Sequence, residues 1–326
     1  MPIELRAEVT RAVRPIFLPV DTDVLFANHK GVYKRGIEKR KTKLLRKLAF
    51  LTNFLDADEK IVFLTTGCSP FSSLEQLTIG VGLTVLLKRA LFVFTNKRLL
   101  HIPTTWTFDY RGSIAQILYQ DCRRLYVKGG RLVAEYHNGR TEKFLYIPRP
   151  DRQVIEHLQL PLSEAGRPSE NPQRNHVCPN CTQVLPARTA TCPSCGLEFK
   201  NRNKALTWSL LLPGGGYFYT GHPLVGIGDA LGETYLVILT LGVLCAGLLG
   251  DPEALATLPI LLVILALEKL LTVYHSNSFL AEFIPADLNA LLRGRPVQRI
   301  QMEVPPQPEP PEPEPQRRAE EILSVR

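Results

Sequence analysis

Two apolar stretches near the C-terminal end constrain this chain more than any other feature. Leu224 to Gly250 turns strongly apolar from Tyr235 onward, and Ala254 to Tyr274 is broken only by Glu268 and Lys269. Each approaches the roughly 20 residues that a helix needs to cross a bilayer. Asp251-Pro252-Glu253 joins them, with Asp251 placed to cap the second helix and Pro252 in its first turn. A shorter piece, Ala205 to Leu212, ends at Pro213 and cannot span alone. The pattern therefore predicts a C-terminal α-helical membrane hairpin within residues 205–280.

Cations set its orientation. Lys200, Arg202 and Lys204 precede the apolar region, Arg293, Arg295 and Arg299 follow it, and the joint is acidic. The positive-inside rule puts both flanks in the cytoplasm, which requires an even number of crossings. Two spans with 205–221 re-entrant or interfacial satisfy it; three would place the tail outside. Asp229 and Glu233, four residues apart, share a helix face and are the intramembrane polar candidates. Glycines around them favour an interfacial location, as for His222 and His275.

Seven cysteines are present, four of them in the pairs Cys178-Pro-Asn-Cys181 and Cys192-Pro-Ser-Cys195. Two such turns aim four thiolates at one tetrahedral ion, leaving no open position, so the expected cofactor is a structural Zn2+ in a small ribbon at 176–200. A redox pair would want a thioredoxin-like βαβ context that these prolines and polar residues do not supply. His176 reads as a bystander. The pattern resembles the zinc ribbons found beside membrane segments in many bacterial proteins. The turn Pro213-Gly214-Gly215-Gly216-Tyr217-Phe218-Tyr219-Thr220-Gly221 similarly resembles that of small bacterial two-helix membrane domains with Pro-Gly-x-Gly-x-x-Tyr-x-Gly.

Residues 58–160 read as β-rich. Strands are predicted at Ile61 to Thr66, along the alternation Ile79, Val81, Leu83, Val85 and Leu87, at 90–95 and 98–102, and at 105–110, 114–119, 123–128, 131–136 and 140–147. Gly129-Gly130 and Asn138-Gly139 mark hairpin turns. A helix opening at Pro148 closes a sandwich or half-open barrel. Leu91-Phe-Val-Phe-Thr-Asn-Lys-Arg-Leu-Leu-His-Ile102, early in this series, resembles the bacterial pleckstrin-homology-like domains. That resemblance implies a binding or assembly module without catalysis. Phosphoinositide binding is not implied, since Gly67 to Ser73 carries no charge.

The formal charge of +8 has a local source, because residues 30–47 hold nine Lys/Arg and one acid, Glu38. Within 1–57 a basic amphipathic helix is predicted at 36–55, with Ile37, Leu44, Leu48, Leu51 and Leu55 on one face. Lys34, Arg35, Lys39, Arg40, Lys41, Lys43, Arg46 and Lys47 are its membrane-surface candidates; packing on a neighbour with a solvated charged face is the plainer reading. Residues 161–175 form a polar linker. The 281–326 tail turns Pro/Glu-rich between Val304 and Gln316 and suits an extended spacer.

No phosphate-binding loop, HExxH or GxSxG signature occurs. The expectation is a non-enzymatic protein of the bacterial inner membrane, soluble parts and both termini cytoplasmic, serving as an adaptor or regulator for protein partners. A lipid-handling component is the alternative, with membrane lipids as partners in either case. Nucleic-acid binding by the ribbon ranks last, because only Arg188 lies between its cysteine pairs.

Overall fold

The structure is a computed structural model and describes residues 15–16, 18–158, 160–162, 166–293 and 299–300. The Val304 to Gln316 segment and Arg295 lie outside the described residues. Two-residue strands β1 (Pro15–Ile16) and β10 (Arg299–Ile300) pair in parallel. Between them the chain builds a layered β-domain, a four-cysteine unit and a helical C-terminal part, a multi-domain layout.

The N-terminal part holds α1 (Thr22–Leu25), α2 (Arg35–Leu45) and a 3-10 helix (Arg46–Asn53). The single helix expected at 36–55 thus changes type after Leu45. Of its apolar stripe Leu48 and Leu51 are buried, with Leu45 beside them, and pack with Leu25, Phe26, Ile61, Leu91, Val93, Leu100 and Ile102. Leu44 and Leu55 are half-buried against the same core, and Ile37 is half-buried. The plainer of the two readings holds for that stripe. Residues 18–54 share one core with the sheet, with no seam of packing near residue 58.

Seven strands follow, all antiparallel to their neighbours: β2 (Ile61–Cys68), β3 (Arg89–Thr95), β4 (Arg98–Pro103), β5 (Ile114–Leu118), β6 (Cys122–Lys128), β7 (Arg131–Tyr136) and β8 (Thr141–Phe144). β2 to β5 form one sheet in order and β6 to β8 a second. Period-two alternation sorts the two faces of β3. Leu91 and Val93 meet the N-terminal helices, while Ala90, Phe92 and Phe94 face a second core. That core takes Ile117, Tyr119, Leu132, Phe144 and, from the closing helix α5 (Arg149–His157), Val154 and Ile155. Both residues of the Gly129-Gly130 turn have positive φ, 58° and 79°, as a primed hairpin turn requires.

Two predicted strands are absent. The 79–87 alternation lies in two short helices, α3 (Ser73–Ile79) and α4 (Val81–Leu87). Ser72 accepts from Glu75 N (3.1 Å) while the Glu75 carboxylate accepts from Ser72 N (2.8 Å), a capping box that starts α3. Gly80, at φ 83°, then re-aims the chain into α4. At 105–110 only an isolated Thr104–Tyr110 bridge forms.

Past the linker, β9 (Asn175–Val177) adds itself to the free edge of β5. The helical part comprises α6 (Arg202–Leu211), α7 (Gly215–Thr220), α8 (Pro223–Leu248), α9 (Pro252–Leu280) and the short α10 (Leu288–Arg293). α8 and α9 are long and apolar enough to cross a membrane. At 26 and 29 residues they reach about 39 and 43 Å, against a hydrocarbon core of about 30 Å. Asp251 caps α9 through Glu253 N (3.0 Å) and Ala254 N (3.2 Å). The glycines of the Pro213–Gly221 turn are packing requirements: a Cβ on Gly215 would lie 2.0 Å from Trp208 O, and one on Gly216 2.1 Å from Ser209 Oγ and 2.3 Å from Ser276 Oγ. Short α7 can sit between α6 and α9 only without those side chains.

Candidate metal centre and the polar seam beside it

Cys178, Cys181, Cys192 and Cys195 converge, all four sulfurs within 4.8 Å of one another. Cys178–Cys195 and Cys181–Cys192 sulfurs are 3.6 and 3.5 Å apart. A tetrahedron with metal–sulfur bonds of about 2.3 Å has edges of about 3.75 Å, so the cluster is near metal-binding size. A disulfide needs sulfurs about 2 Å apart, and these four cysteines are free thiols. The donors fit a metal ion, and together they would fill a four-coordinate shell.

Backbone geometry explains the convergence. Cys178 N donates to Gln183 O (2.8 Å) and Thr182 N to Cys178 O (2.9 Å). In the second turn Cys192 N donates to Leu197 O and Gly196 N to Cys192 O, both at 2.9 Å. Each turn passes through a left-handed residue just after its second cysteine, Thr182 at φ 63° and Gly196 at φ 72°. Glycine adopts that conformation freely, whereas β-branched Thr182 is strained.

The four-cysteine unit is clamped on both sides. β9 leads into it from the sheet, and its last strand-like residues meet the chain after α9: Lys200 N donates to Ile284 O and Ala286 N to Glu198 O, each at 2.9 Å. Between these clamps runs a seam of buried polar groups. Glu282 lies 3.4 Å from Arg174 and 3.3 Å from His176, and its carbonyl accepts from the Ser113 hydroxyl. Burial alone would raise its carboxyl, but Arg174 and His176 hold it well below the usual carboxylate range. His176 is thus a seam residue.

Arg174 also donates to His101 Nδ1 (2.9 Å). A guanidinium only donates, so Nδ1 accepts and Nε2 carries the proton, which goes to Ser69 Oγ (2.9 Å). Burial, then the Arg174 charge, push His101 down to about 3. A similar arrangement recurs at the helical part. Arg111 donates to His222 Nε2 (2.9 Å) and to Thr220 O (3.1 Å), leaving Nδ1–H to Thr220 Oγ1 (3.1 Å). Burial and then Arg111 hold His222 well below its ordinary value. It is 4% exposed and locks the head onto the α7–α8 joint.

Sequence reading placed none of Arg111, His101, Arg174 or Glu282 in a site. Their partners lie up to 111 residues away, so no local motif announces them. Conversely, the basic run is scattered. Lys34, Arg35, Lys39, Arg40, Lys43 and Arg46 are exposed and Lys47 reaches Asp109 (2.8 Å). Lys41 is corrected as a surface candidate: it is 1% exposed, paired with Asp151 at 3.0 Å and bonded to Leu64 O.

Asp229 and Glu233 do come together, joined by Glu268, with carboxylate oxygens within 4.8 Å. Lys269 pairs with Glu233, whose other oxygen accepts from Gly214 N at 3.3 Å. Thr272 Oγ1 lies 3.1 Å from Asp229 and 2.9 Å from Glu268. Beside this cluster a groove of about 630 Å³ runs among α3, α4, α8 and α9. A second cleft of about 510 Å³ lies against the four-cysteine unit. Its rim carries Arg188 and Arg202, both exposed, and its floor Phe199, Leu280 and Phe283.

No family model matches the chain, and no curated protein or solved structure shows significant similarity to it.

Proposed function

We propose that this chain is a membrane-anchored adaptor, without catalysis of its own, that presents a binding cleft at a fixed height above the bilayer. The observation that carries this reading is the 510 Å³ cleft, built jointly by the four-cysteine unit and the end of α9. A partner there would contact the metal-bound unit and the membrane helix together. An apolar floor with Arg188 and Arg202 at the rim suits an extended acidic protein segment. Zinc is the proposed metal, because it favours four thiolates in a closed tetrahedron. The β-domain is proposed to be pleckstrin-homology-like. Four strands, then three, then the closing helix α5 support that reading, with β9 as an added edge. The location proposed is the bacterial inner membrane, with both flanks of the hairpin cytoplasmic.

The test is affinity capture of the full chain from native membranes, with a photo-crosslinker at Ala187. The expected result is one recurrent acidic protein, lost in the R188E/R202E double variant while metal content is unchanged. Capture unaffected by the charge reversals would sink the cleft assignment. A lipid-handling role is the second reading, favoured by the 630 Å³ groove beside the carboxylates. A stoichiometric lipid surviving purification, and displaced by L83W in that groove, would move the conclusion there.

A further inference from the structure

The β-domain carries an inverted element. β2 and β3 are paired along their length but joined by residues 69–88 instead of a tight turn. Within α3 and α4 the only charged residue is Glu75, and it is turned inward, 3% exposed, pairing with Lys88 at 3.0 Å. Thr84 is buried too, its hydroxyl donating to Gly80 O (2.8 Å). The apolar side chains point out. Leu77 is 82% and Val81 51% exposed, and Leu74, Leu83 and Leu86 are exposed with them. A water-facing helix pair would show the opposite pattern. An outward apolar face of this kind marks an interaction surface.

Position identifies what covers it. Polar contacts pin the inner side of α3 to the cytoplasmic-end turns of α9: Ser72 Oγ with Tyr274 OH and Thr78 Oγ1 with His275 Nε2, each at 2.8 Å. Ser278 Oγ bridges Glu75 and Lys88. From this anchor the outward face continues into the exposed apolar surface of α9, where Leu267 and Leu270 are 54% and 65% exposed. Ile79 and Leu83 line one groove with Ile264 and Leu267. Ile264 lies 11 residues before His275, about 16 Å further along the helix. At the foot of α4, Arg89 donates to the carbonyl of Trp106 (2.6 Å), a residue 61% exposed. An exposed tryptophan is what the head-group layer accommodates.

We propose that α3 and α4 form a wedge inserted into the lipid beside α9, so that Leu77, Val81 and Leu86 sit among acyl chains. The β-domain would then touch the bilayer through this apolar insertion, not through its basic helix. The inference rests on the reading of α8 and α9 as membrane spans.

The experiment uses the full chain in nanodiscs, with the two native tryptophans replaced (W106F/W208F) and a single reporter introduced as L77W or, separately, L86W. L231W on α8 reports on the span itself. Emission is compared in plain and acyl-brominated phosphatidylcholine, and retained metal verifies folding. Blue-shifted emission lost on bromination at both L77W and L231W is the expected result. Quenching at L231W with red-shifted, unquenched L77W and L86W overturns the wedge and leaves the span standing. Blue-shifted but unquenched wedge reporters mean that a second copy or another protein covers the face, and overturn it equally. No quenching at L231W removes the span, and the wedge with it.

Discussion

Arg174 and Glu282 form an ion pair at 3.4 Å with 14% and 13% of their side chains exposed. One lies just before the lead strand of the four-cysteine unit, the other just past the end of α9, so the pair ties head to hairpin. Charges withdrawn from water are costly, and removing one partner strands the other. Glu282→Ala is expected to lower stability by about 3–5 kcal/mol, measured by denaturant unfolding in detergent. A double-mutant cycle with Arg174→Met checks the pairing: the second substitution should cost much less on top of the first. Additive losses would mean that the pair is not coupled.

Two buried histidines make stability acid-sensitive. His101 stays neutral in the fold down to about 3, and His222 is likewise held well below its ordinary value. Unfolded, each binds a proton near pH 6.5. The unfolded state therefore holds more protons below that point, and stability falls as pH drops. Each histidine should contribute a slope of about 1.4 kcal/mol per pH unit between pH 6 and 5. His101→Gln should reduce the slope by one proton. An unchanged slope would show that His101 already charges in the fold.

Four thiolates predict about one zinc per chain after purification under reducing conditions, read by elemental analysis. Cys192→Ser should lose it. Because β9 is both the lead-in to Cys178 and an edge strand on β5, metal loss should loosen more than the cysteine turns. Hydrogen exchange is expected to rise in 175–200 and 282–286 while β2 to β4 remain protected. Disulfides with no metal would defeat the zinc assignment. At the strained position, Thr182→Gly should be tolerated or stabilise by up to about 1 kcal/mol, since φ there is 63°.

Sequence patterns were legible where one local signal stands unopposed. The cysteine spacing, the two apolar helices, Asp251 as a cap and the Gly129-Gly130 turn all depend on neighbours within a few residues. The α3–α4 error was also local in origin. Ile79 to Leu87 alternates as a strand would, while the helix signals lie in Ser72-x-x-Glu75 and Gly80. The seam was not legible at all. Arg111 with His222, or Arg174 with Glu282, join residues more than a hundred positions apart, and only the docking of head on hairpin brings them together. His222 is a plain instance: alone beside an apolar segment it reads as interfacial, and its buried role comes from Arg111.

The basic run shows how composition can hide a buried charge, and it yields the sharpest contrast between adjacent residues. Lys39 and Lys43 are exposed, and α2 turns Lys41 inward between them. There Lys41 pairs with Asp151, bonds Leu64 O, and lies 4.1 Å above the Phe63 ring. Thr65 Oγ1 donates to the other Asp151 oxygen at 2.7 Å, so α2, β2 and α5 meet on one carboxylate. Lys41→Gln leaves Asp151 without its buried partner and is expected to cost about 3–5 kcal/mol. Lys39→Gln and Lys43→Gln should each stay within about 0.5 kcal/mol. Asp151→Asn in the Lys41→Gln background should recover part of the loss, because the carboxylate charge left with only Thr65 and the half-exposed Arg40 (3.2 Å) is then gone. Thermal unfolding of the full chain in detergent reads all four variants. Equal, small effects at positions 39, 41 and 43 would mean that Lys41 stays in water and that the basic face is continuous after all.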